Sequence, residues 1–222
     1  MNSIDDVIAR MRALDAALPE TDGLKWWNLL YLRVTEAVKN HPPAGGWQDP
    51  QWLERLDVIF AGLYFDAVRD PEGSRVWRPL FRARFRRDVA RVQFALAGMN
   101  AHINHDFAPA ILRACVERGI EPRRGTPQHH DFEHFNELLE RVQGDVKDWL
   151  LTGVFRHVDG SLGRLDDVLA MWKVQKARET AWSNAEILWE LRPLPTVVTE
   201  SFMRSVRRLV ELSSKGLLVP TR

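Results

Sequence analysis

The stretch PLFRARFRRDVARVQFALAGMNAHINHD, Pro79 to Asp106, decides the fold class. Wound at about 100° per residue, it puts Phe81, Phe85, Val92, Leu96, Met99 and Ile103 on one face. That spacing predicts a single helix from Pro79 to Asp106 with a core-facing stripe. Pro109 is the next barrier, because it pushes Ala108 away from helical geometry.

Working outward, the same kind of signal repeats. Ser3 and Asp6 resemble a capping box, and Ile4, Val7, Ile8, Met11 and Leu14 follow at helical spacing. A second helix is expected from Leu24 to Lys39, stopped by HPPAGG. Asp49 as N-cap and Pro50 at the first helical position open a third, which ends near RDPEGS. PAILRACVERGI reads as a short helix closed by Gly119. Thr126 and Pro127 open the next, and Asp145 to His157 continues it after Gly144. Leu162 to Leu191 and Thr196 to Ser213 are expected as the last two, with Gly216 beyond the end. Alternating runs with hairpin turns are missing. The expectation is an all-α, single-domain bundle of seven to nine helices over residues 1–222.

Composition excludes several function classes. The chain has 222 residues, of which 45% are hydrophobic, enough for a sizeable core. Its net charge is +1, so nothing pulls it as a whole toward nucleic acid or an anionic membrane. No run reaches the roughly 18 apolar residues of a membrane span. The one cysteine, Cys115, rules out an internal disulfide framework and fits a reducing cytoplasm. It has no adjacent base and reads as a buried structural thiol. Nine tryptophans read mainly as core, with a few available to wall a pocket. Gly-x-Ser-x-Gly, P-loop and dinucleotide glycine patterns are absent.

The histidines concentrate the chemistry. In GMNAHINHDF, His102, His105 and Asp106 share a helix face beside the core stripe, at spacings that make side chains neighbours. Two imidazoles and a carboxylate suit a borderline cation. An ordinary hydrogen bond between residues four apart is the plainer alternative. Gly98 and Ala95, one and two turns earlier, leave room for a substrate or for another helix. Asn100 and Asn104 lie on the opposite side and would bond to neighbouring backbone.

HHDFEHFNE supplies a second group. His130, Glu133, His134 and Glu137 share one face, and His129 stands four residues from Glu133. If two such helices face each other across a bundle, they build a metal site. The expectation is that His102, His105, Asp106, His130 and His134 bind a divalent metal, zinc ahead of iron or manganese. Glu133 or Glu137 would act as base or as a further ligand. The competing reading is a buried polar network or two solvated faces. The di-iron signature and His-Glu-x-x-His are both absent.

Other residues support the site. Asp57 and Asp66 lie among large apolar residues, with Asp66 on a presumed buried face. Asp66 would serve an Arg salt bridge, orient a histidine or add a ligand from a third helix, and His129 and Tyr64 are further supporting candidates. Arg91, about 16 Å from His102 along a regular helix, could hold the far end of an anionic substrate. A solvated arginine face is the alternative.

With YFDA and WRPLF upstream, GMNAHINHDF resembles a family of uncharacterised proteins, the domain-of-unknown-function family 5995, over most of the chain. The resemblance implies no activity. It supports a site at His102, His105 and Asp106, which belong to its most specific motif.

Three functional readings follow. One is a metal-dependent enzyme of hydrolase or lyase type acting on a small organic substrate. The second is a metal-free, cyclase-like enzyme or small-molecule-binding module with histidine acid–base groups. The third is an interaction protein whose histidines are structural. A homodimer is compatible with all three.

Overall fold

Ser3 closes the first helix with a full capping box. Its hydroxyl accepts from the Asp6 N–H at 3.2 Å while the Asp6 carboxylate accepts from the Ser3 N–H. Asp22 and Asp49 cap the next two by accepting from Leu24 and Trp52 N–H. In the computed structural model, residues 1–134 and 174–220 are described. The helices are α1 (Ile4–Ala17), α2 (Gly23–Asn40), α3 (Pro50–Arg69), α4 (Arg78–Ala83), α5 (Arg91–Ala101), α6 (Phe107–Arg118), α7 (Val174–Leu191) and α8 (Thr196–Leu217). A helical segment at 127–134 begins at Pro127, as expected. No strand occurs among the described residues, so the fold is all-α. None of the described helices is long and apolar enough to cross a membrane. The helix expected at Asp145–His157, the start of the one expected from Leu162, and Glu137 lie outside the described residues.

The long helix expected from Pro79 to Asp106 is broken. After α4 the chain turns at residues 84–90 and restarts as α5. Distant partners impose the break. Arg84 Nε donates to both Asp22 oxygens, at 2.8 and 3.0 Å, and the Arg84 carbonyl accepts from Gly23 N–H at 2.6 Å. Arg86 donates to the Leu218 carbonyl. The turn is thus pinned between the start of α2 and the end of α8. Phe85, expected on the core stripe, is left 65% exposed.

Pro109 does not stop the chain either. A five-residue π turn, His102–Asp106, joins α5 to α6, and the Phe107 N–H reaches back five residues to the His102 carbonyl. A proline inside a regular helix meets the carbonyl four residues before it and offers no N–H. Shifting the register by one residue just upstream absorbs both problems. Gly119, at φ 65°, then ends α6 in the left-handed conformation expected of it.

α5 packs between α2 and α8, while α6 packs between α3 and α7. Gly98 makes the first contact possible. A Cβ on it would lie 2.4 Å from the Trp27 ring, so the room it leaves is filled by that indole. On α5's other side, Gln93 Nε2 donates to the Leu217 and Val219 carbonyls. One heptad later, Asn100 Nδ2 donates to the Val210 carbonyl and to Ser214 Oγ. Asn104 donates to Asn100 Oδ1 at 2.8 Å. The two asparagines of the motif therefore fasten α8.

Candidate functional site

The π turn delivers His102 and Asp106 into the core. His102 is 1% exposed and stacks face to face on Phe60, with ring centroids 3.5 Å apart and planes 9° apart. Trp27 and Tyr31 of α2, Tyr64 of α3 and Trp77 at the start of α4 complete an aromatic box around it. Asp106 is the hub. Its Oδ1 lies 2.7 Å from His105 Nδ1, and its Oδ2 lies 3.3 Å from His102 Nδ1 and accepts from Trp77 Nε1 at 2.9 Å.

Burial pushes the Asp106 carboxyl up, but the hydrogen bonds of His102 and His105 outweigh it and hold the group below its ordinary range. An ionised carboxylate only accepts, so both Nδ1 atoms carry the proton. In the neutral rings this leaves each Nε2 as a lone-pair acceptor. Burial depresses His102, against the pull of Asp106, and favours that neutral form. His102 Nε2 and His105 Nε2 are both buried, and neither has a hydrogen-bond partner.

The supporting candidates divide. Tyr64 is fully buried in the box and donates its hydroxyl to Asn28 Oδ1, while Asn28 Nδ2 donates to the Met11 carbonyl. Burial raises the Tyr64 phenol well above its usual range. Asp66 is exposed rather than on a buried face and pairs with Arg69 at 2.9 Å. Arg91 sits at the start of α5 with its guanidinium 4.0 Å over the Trp26 ring.

The second histidine group lies elsewhere. His129 is buried edge-on against Trp182, and its Nδ1 is 3.5 Å from Glu133. His130 is half exposed and 3.8 Å from the same carboxylate. His134 meets the edge of Trp47. Burial lowers His129, opposed by Glu133. Between the two groups runs a ladder of stacked, tilted and finally edge-on rings: His102, Phe60, Phe107, Phe132, Trp182, His129. Among the described residues no three His, Cys, Asp or Glu side chains are grouped so as to hold a metal ion.

Three participants had no sequence signal strong enough to single them out. Trp77 supplies the third donor to Asp106. Asp131, buried between the histidines, accepts from the Gln48 and Asp49 N–H groups at 2.8 and 2.7 Å. It fastens the loop ahead of α3. Arg178 of α7 is buried with its guanidinium over Phe107 and Phe132. Burial lowers it to about 9, opposed by Asp57, whose own carboxyl is raised by burial to about 7.

No curated protein and no solved structure matches the chain significantly. The profile of one family matches residues 4–220, nearly the whole length and the entire site. The chain belongs to the family of unknown function DUF5995.

Proposed function

We propose that this protein is an enzyme acting on a small organic molecule, with His102 and His105 working through Nε2 as proton acceptors and Asp106 holding both in the competent tautomer. The observation that carries this reading is the pair of buried, unpartnered Nε2 atoms on one π turn. An unpaired buried acceptor costs about 1–3 kcal/mol, and native cores keep few of them. A ligand that donates hydrogen bonds to both nitrogens removes that cost. Irregular π turns also recur where side chains do chemistry. A neutral imidazole backed by a carboxylate is a general base, which suits hydrolysis or elimination. The reading places the protein in the cytoplasm, consistent with its lone thiol.

A second reading has one observation in its favour. A metal-binding histidine usually donates its other N–H to a carboxylate, as both do here. Two imidazole nitrogens suit zinc ahead of iron or manganese. Asp106 would then orient the ligands rather than bind the ion.

The test uses full-length protein purified without chelator, beside His105→Gln and a His102→Ala/His105→Ala double variant. The first reading expects a panel of small organic compounds to include some that raise the wild-type melting temperature but not that of His105→Gln. Stoichiometric zinc in the wild type and none in the double variant selects the second reading. Failure of both, with folding intact, makes the histidines structural.

A further inference from the structure

Helix α8 has an apolar face that the core uses only in part: Phe202 packs partly against the core, and Leu209 and Leu212 stand in water. Its inner face carries Val210 and Ser214, its only buried residues. Roughly 120° around the helix, Val198, Phe202, Ser205, Leu209 and Leu212 recur at steps of four, three, four and three. Leu209 is 67% exposed and Leu212 55%. Val198, Leu209 and Leu212 are exposed aliphatic side chains on one face of the helix, and such an apolar stripe marks an interaction surface. The four-three alternation is the spacing of a helix–helix seam. Ser205 is small, and the side of Gly216 is open, so both leave holes for side chains of a facing helix.

The charge beside the seam selects the partner. Arg204, Arg208 and Lys215 line its solvent flank. Lys215 is paired with Glu211 at 2.7 Å, whereas Arg204 and Arg208 form no ion pair among the described residues. The opposite flank is the protein body. We propose that this stripe docks an amphipathic helix of a partner protein, one with apolar residues at four-three spacing and a row of Asp or Glu beside them. A second copy of α8 would bring arginine rows of one sign together in the antiparallel arrangement and gain no ion pair in the parallel one. A bilayer would be served by basic residues on both flanks of the apolar stripe, and here one flank is closed by α5.

The experiment measures fluorescence anisotropy of two labelled synthetic helices titrated with full-length protein. Both carry Leu on a four-three seam. One is flanked by Glu and the other by Lys. The Glu peptide is expected to bind at least tenfold more tightly. Leu209→Asp/Leu212→Asp should abolish this, and Arg204→Glu/Arg208→Glu should reverse the preference. These side chains are exposed, and circular dichroism with urea unfolding checks that each variant stays folded. Equal binding or none overturns the proposal. So does a dimer in sedimentation equilibrium that Leu209→Asp dissociates, which makes the occupant a second copy. Binding to phosphatidylglycerol vesicles without peptide preference also overturns it, in favour of lipid.

Discussion

HINHD at 102–106 and HHDFEH at 129–134 contain nearly the same residue types, yet they do different work. In the first, the carboxylate takes three side-chain donors and holds two imidazoles inside an aromatic box. In the second, the carboxylate of Asp131 turns away from its histidines and fastens a loop through two backbone N–H groups. The histidines around it meet tryptophan edges and a half-exposed glutamate. Helix position explains the contrast. The first stretch lies mid-chain in a continuous helical run packed against α2, α3 and α7. The second opens a helix just past a turn, so one side of it faces water.

The largest effect should come from the hub. Asp106→Ala leaves His102, His105 and Trp77 without their acceptor in the core. Loss of about 3–5 kcal/mol is expected in urea unfolding, because three buried donors lose a charged acceptor together. Asp131→Ala comes next, at about 2–3 kcal/mol, because two backbone donors lose a charged acceptor. Amide exchange should then quicken at Gln48 and Asp49. If Asp131→Ala proved the more damaging, the ranking of the two carboxylates would be reversed.

Much of this was legible in the chain. The caps at Ser3, Asp49–Pro50, Gly119 and Thr126–Pro127 read correctly, because a cap is a local matter of one side chain and the nearest N–H groups. The break at residues 84–90 was not legible. Apolar periodicity runs straight through it, and its cause, the Arg84–Asp22 pair, spans 62 positions. The π turn hid for a similar reason: Pro109 announces a disturbance but not how the chain resolves it. At the site, spacing alone brought His102, His105 and Asp106 together. It offered no means of telling which carboxylate in HHDFEH points inward, nor that Trp77 reaches Asp106.

Acidity separates the clusters more gently. Burial holds the folded His102 below its ordinary pKa, so the unfolded chain takes up that proton first. Its contribution is therefore complete above about pH 6.5 and falls as the pH drops below it, by at most about 1.4 kcal/mol per pH unit. His129 is depressed in the same direction and adds to this window. Asp106, depressed when folded, contributes above about pH 4, and its share is lost below that. Urea midpoints at pH 7.5 and 5.5 should differ less in His102→Asn than in the wild type. An unchanged difference would mean that His102 is not the group being protonated.

The smallest expected effect is the most discriminating. His130 and Glu133 are both about half exposed and lie 3.8 Å apart, a surface pair of the kind that contributes little. Glu133→Gln should shift stability by no more than about 0.5 kcal/mol. Zinc uptake, if the wild type shows any, should be unchanged by it and lost in His102→Ala/His105→Ala. A Glu133→Gln variant that loses its zinc would instead join the two clusters in one metal site. The ring ladder from His102 to His129 would then have to rearrange, because it now packs Phe60, Phe107, Phe132 and Trp182 between them. Closing that gap would disturb a dense aromatic core, so an undisturbed near-ultraviolet circular dichroism spectrum on adding zinc supports two separate clusters.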